Sequence, residues 1–135
     1  MNETANTNSF DIEALPITIT YMGETTQDDR WVCDQWRVVF SNERSTWTTC
    51  YYTGVGRRDN HGPVTPKKAD VLCALCLDAQ AADSNFNDWC SHYGYNNDSI
   101  KALNTYKQCC DIATQLRHHF TPEQRKAITE IVDMM

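Results

Sequence analysis

No apolar run in this 135-residue chain approaches the roughly 18–20 residues that a membrane span needs, so no membrane location is expected. Residues Met1 to Ala14 carry no base and no apolar centre, so they do not read as a signal peptide. Glycine and proline are scarce, at 5 and 4, and no tract repeats, which excludes collagen-like and low-complexity chains. Several catalytic signatures are also missing: G-x-S-x-G, a P-loop, H-E-x-x-H, and a deaminase H-x-E with P-C-x-x-C. Bases are absent from two stretches. Residues 1–29 hold six acids and no base, and residues 69–98 hold five acids and no base. Residues 30–68 reverse this with seven bases against three acids, inside a chain whose net charge is −6.

Hydrophobic residues make up 41% of the chain, enough for one domain of this length to bury a core without staples. The expected organisation is a single domain, 1–135. It comprises an N-terminal arm over 1–14 (flexible or docked), a β meander over 15–54 and a helical part over 64–135.

Ile17, Ile19 and Tyr21 alternate with threonines at the period of a strand. Gly23 to Asp29 reads as a polar connection. In Trp31 to Phe40, Val32, Trp36, Val38 and Phe40 share one face, with Asp34 as the exception, and Trp31, Cys33, Arg37 and Val39 share the other. Ser41-Asn42-Glu43-Arg44 is turn chemistry, and Ser45 to Thr53 is rich in Thr, Trp and Tyr, which favour strands. Gly54 to Pro63 reads as a loop.

Thr65-Pro66 predicts the start of a helix, with Val71, Leu72, Leu75, Cys76 and Ala79 on its apolar face. A short helix is expected after Ser84, ending at Gly94. A longer one, capped by Asp98, carries the stripe Ile100, Leu103, Tyr106, Cys110, Ala113, Leu116 and Phe120. Thr121-Pro122-Glu123-Gln124 is a capping box for the last helix. The fold class that follows is α+β: a three-stranded antiparallel sheet in the N-terminal half, then three to four helices packed on one sheet face.

Seven cysteines raise the question of metal. Cys73-x-x-Cys76 lies within a helical stretch, not on a turn, and Cys109 and Cys110 diverge by about 100° on a helix. Small buried thiols are the plainer reading, and no metal or other cofactor is expected. Gly54-x-Gly56 lacks a helix N-terminus directly behind it, so it does not read as a phosphate cradle. His118 and His119 suit the negative end of a helix.

The sheet offers more. Trp31, Trp36, Trp47, Tyr51 and Tyr52 interleave with Arg37 and precede Arg57 and Arg58. If helices cover only one face, some of these rings are left for a partner. Trp, Tyr and Arg dominate protein hot spots and also make stacking platforms for single-stranded nucleic acid. These eight residues are the expected partner-binding set, and no catalytic residue is expected. A net charge of −6 favours a protein partner over nucleic acid, whose affinity rests on phosphate neutralisation. A homodimer is also open to a chain with sheet edges to cover and two terminal methionines.

Two stretches carry a resemblance. One is Tyr21-x-Gly23-Glu24 with Cys33-Asp34-Gln35-Trp36-Arg37-Val38. The other runs from Ala69-Asp70-Val71-Leu72 through Phe86-x-x-Trp89-Cys90-Ser91-x-Tyr93-Gly94-Tyr95 to Lys101-Ala102-Leu103-x-x-Tyr106. On these residues, from about Ile17 to about Phe120, the chain resembles a group of small bacteriophage-encoded proteins. The resemblance brings no activity with it. It implies a protein acting in the cytoplasm of an infected bacterium. The function expected on that basis is non-enzymatic inhibition of a host macromolecular complex, most concretely an anti-CRISPR-like inhibitor of a Cas effector. The alternative is a single-stranded nucleic-acid-binding accessory protein for phage recombination or replication. The resemblance also places other residue types, such as Tyr, Leu or Ser, at Cys73 and Cys76, which weakens a zinc reading further.

Overall fold

A computed structural model describes residues 10–27, 31–55, 58–59 and 62–134. Among these, a three-stranded antiparallel sheet in the N-terminal half is followed by four α-helices. The chain forms two compact units, Met1–Val71 and Leu72–Met135.

In the first unit, β1 (Ile17–Gln27), β2 (Trp31–Ser41) and β3 (Thr46–Gly54) pair in the order β1-β2-β3. β1 is longer than its alternating stretch. A bulge between Tyr21 and Gly23 inserts Met22 and shifts the register, after which Gly23 to Gln27 pair with Gln35 to Trp31. The expected polar connection is therefore mostly strand. Polar residues suit it because Glu24 and Thr26 are exposed and Thr25 is only half-buried. Gly23 sits at φ 103, a left-handed region where a side chain would be strained, which is why the bulge falls on a glycine.

The β2–β3 turn is closed by Asn42, whose Oδ1 accepts from the backbone N–H of Arg44 at 2.8 Å and of Ser45 at 3.0 Å. A two-residue pairing of β4 (Arg58–Asp59) with β5 (Gly62–Pro63) replaces part of the expected loop.

Ahead of β1, a 3₁₀ turn over Ile12–Ala14 buries Ile12. The Lys68 ammonium donates to the carbonyls of Glu13 at 2.8 Å and Leu15 at 2.7 Å. Glu13 in turn accepts from the backbone N–H of Ala69 at 3.3 Å. That carboxylate satisfies an orphan donor at the start of α1 (Lys68–Ala81) and suits the positive end of its dipole. The helix begins at Lys68 rather than at Pro66 because these contacts fix its first turn there.

The second unit contains the rest of α1 with α2 (Phe86–Tyr93), α3 (Ile100–His119) and α4 (Pro122–Asp133). Gly94 ends α2 at φ 75, as its position predicts. Ser99, not Asp98, caps α3, accepting from the Ala102 N–H at 3.2 Å. Thr121 and Gln124 exchange both bonds of a capping box at the start of α4. Along α3 the buried positions are Ala102, Cys109, Ala113, Leu116 and His119, whereas Ile100 and Leu103 face solvent. No helix among the described residues is long and apolar enough to cross a membrane.

Candidate partner-binding face of the sheet

Pairing fixes which side chains share a face. Opposite residues are Ile17 with Phe40, Ile19 with Val38 and Tyr21 with Trp36 on one side of β2. On its other side they are Phe40 with Trp47, Val38 with Thr49 and Trp36 with Tyr51. Directly opposed side chains lie on the same side of a sheet. The even positions of β2 therefore build one face with the odd positions of β3 and the first half of β1. This face is interior, with Val38, Phe40 and Asp34 fully buried and Trp36 2% exposed. Phe40 and Trp47 stack at 4.7 Å between centroids, and Tyr21 tilts against Trp36 at 5.1 Å. The Trp36 indole N–H donates to Thr53 Oγ1 at 2.8 Å, and Tyr21 OH donates to Asp34 Oδ1 at 3.0 Å.

Trp36 and Trp47 thus leave the expected partner-binding set. Their strand parity puts both indoles in the core, where the first has its hydrogen bond and the second its stacking partner. Tyr51 follows them onto the same face and is half-buried. Asp34, the polar exception in the strand pattern, is buried with its carboxylate hydrogen-bonded by Tyr21. The strand period flagged it but could not supply its partner, which lies 13 residues away in sequence.

The opposite face is largely open, with Cys33 the one buried member among its described residues. Its members on β2 are Trp31, Cys33, Gln35, Arg37 and Val39, and on β3 they are Thr46, Thr48, Cys50 and Tyr52. Trp31 is 67% exposed, Tyr52 is 43% exposed, and Arg37, Thr48 and Cys50 also face solvent. Tyr52 stands opposite Gln35, and Cys50 opposite Arg37. Arg37 and Tyr52 are therefore diagonal neighbours, about 7–8 Å apart at Cα. Gln35 Nε2 reaches Cys50 Sγ at 3.6 Å along the other, crossing diagonal. Trp31 lies further along β2, roughly 13 Å beyond Gln35 at the rise of an extended strand. The register thus places Arg37 and Tyr52 at diagonal positions on one face and sets Trp31 at the far end of that face. Arg57 and the side chain of Arg58 lie outside the described residues.

The open face suits contact with a macromolecule. Large amphipathic rings and a guanidinium stand among short hydroxyl side chains, and among the described residues its only charged side chain is Arg37. Rings and Arg at the centre with few competing charges are the composition of a protein interface core. A single cation gives little purchase on a phosphate backbone.

The cysteines are free thiols. Burial, reinforced by Cys73 and Asp133, pushes the Cys76 thiol up to about 11. Burial, reinforced by Asp78 and Cys110, does the same to Cys109. Both thiols are therefore protonated and weakly nucleophilic near neutral pH. Among the described residues, no three His, Cys, Asp or Glu side chains converge to hold a metal ion. No protein-family model, curated protein or solved structure matches this chain.

Proposed function

We propose that this protein acts by binding rather than catalysis, laying the open face of its sheet on a host protein or ribonucleoprotein complex and blocking it. In its sharpest form the target is a Cas effector in a bacterial cytoplasm. The observation that carries the binding role is the division of the sheet: one face is spent on core packing, while the other leaves Trp31, Arg37 and Tyr52 to solvent. The choice of host complex rests on the phage resemblance. It is supported by the base-free acidic stretches 1–29 and 69–98, since acidic surface can occupy basic nucleic-acid channels.

The test is plasmid interference in cells carrying one Cas effector at a time, with and without this protein. Restored transformation with one effector, accompanied by co-purification of that effector, is the expected result. Full interference by every effector, with no complex formed, removes the inhibitor reading.

A second reading, single-stranded nucleic-acid binding, is favoured by one observation: the Trp31 indole is solvent-exposed and available to stack on a base. It requires quenching of tryptophan emission by oligonucleotides that weakens as salt rises. A flat titration at low salt eliminates it.

A further inference from the structure

The second unit holds a cavity of about 800 Å³ that plays no part in the sheet face. Asp78 on α1, Asp88, Trp89 and Tyr93 on α2, and Tyr95 just beyond it are among its lining residues, which include no Lys or Arg. We propose that this cavity binds a small organic cation, an alkylammonium group held against aromatic rings and beside the Asp78 carboxylate.

Two features of the wall select that chemistry. The first is its rings. Tyr95 stacks on Trp89 at 5.0 Å with 12° between planes, while Tyr93 meets the same indole at 5.4 Å and 47°. All three rings line the cavity, and ring faces attract cations, most strongly when the cation is poorly hydrated. Trp89 is 3% exposed, whereas Tyr93, edge-on to His92 at 4.6 Å, is 49% exposed.

The second feature is charge. Asp88 is partly engaged, accepting from Asn85 Nδ2 at 3.2 Å. The Asp78 carboxylate makes no hydrogen bond or ion pair among the described residues. Partial burial raises its pKa, so its charged form is stabilised by a positive neighbour.

Choline meets both requirements and serves as the probe. It is titrated into the full chain and followed by calorimetry and by the Trp89 indole N–H resonance. Tetramethylammonium reports the cationic head alone, and 3,3-dimethylbutan-1-ol is the neutral isostere. Choline is expected to bind at or below the millimolar range and to shift that resonance, with the neutral isostere at least tenfold weaker. Tyr93→Ala and Asp78→Asn, both at exposed positions, are each expected to weaken choline about fivefold while the circular dichroism spectrum is unchanged. Equal binding of the isostere shows a merely apolar cavity and overturns the proposal. So does absence of any choline binding, or binding that both variants leave untouched.

Discussion

The division of the sheet into an interior and an open face predicts opposite outcomes for two tryptophans five residues apart on one strand. Trp36→Ala removes an indole that is 2% exposed, packs against Tyr21 at 5.1 Å and donates to Thr53 at 2.8 Å. Truncating a buried Trp to Ala costs about 3–5 kcal/mol through lost transfer energy and the cavity left behind. The freed Thr53 hydroxyl adds about 0.5–1.5 kcal/mol, at the lower end because this half-buried group can recruit water. With total stabilities of about 5–15 kcal/mol for ordinary domains, this loss brings the first unit close to unfolding. Trp31→Ala removes a ring that is 67% exposed, and substitutions of that kind stay within about 0.5 kcal/mol. Urea unfolding followed by far-ultraviolet circular dichroism reads both values without relying on the tryptophans removed. Equal destabilisation by the two variants, or a greater loss from Trp31→Ala, refutes the assignment of faces.

Tyr21→Phe removes the hydrogen bond at 3.0 Å to the buried Asp34 carboxylate and is expected to cost about 1–3 kcal/mol in the same assay. An unchanged midpoint shows that this bond is not needed. Gly94→Ala places a β-carbon on a residue at φ 75 with nothing within 4 Å of it, so strain alone acts. The expected loss is about 1–2 kcal/mol, and a gain in stability contradicts it. The Cys76 and Cys109 thiols, raised to about 11 against an ordinary 9.0, ionise later in the folded chain than in the unfolded one. Their contribution to stability is therefore complete below pH 9 and lost as pH climbs from 9 towards 11. Under reducing conditions, Cys76→Ala/Cys109→Ala is expected to show a shallower alkaline fall in unfolding midpoint than the wild type. Parallel curves count against the buried-thiol assignment.

Much of the fold was legible in local pattern. The alternation in β2 assigned Val32, Trp36, Val38 and Phe40 to one side, and the pairing register places them together. Thr121 through Gln124 wrote its cap in four residues. Gly94 marked a helix end because few other residues tolerate its conformation. What was not legible depended on partners distant in sequence. Period alone cannot say which face of a strand becomes interior, so Trp36 and Trp47 were grouped with Trp31 until pairing and burial separated them. The start of α1 is set by Glu13, more than fifty residues upstream. On α3 the expected stripe holds at Ala113, Leu116 and Phe120, which are buried, but fails in the first half, where Ile100 and Leu103 face solvent and the buried line runs through Ala102 and Cys109. Beside the Trp89 cluster the close approach favours small side chains, as at Ala102, a requirement that hydropathy does not encode.

The most direct test of the open face is the dissociation constant of the captured host complex for the wild type against Trp31→Ala/Arg37→Ala/Tyr52→Ala. These three side chains leave the core untouched, so the variant is expected to keep its unfolding midpoint. Interface anchors of this kind cost about 2 kcal/mol or more on truncation, so affinity is expected to fall at least about 30-fold. Wild-type affinity in a folded triple variant contradicts the assignment of this face to partner binding.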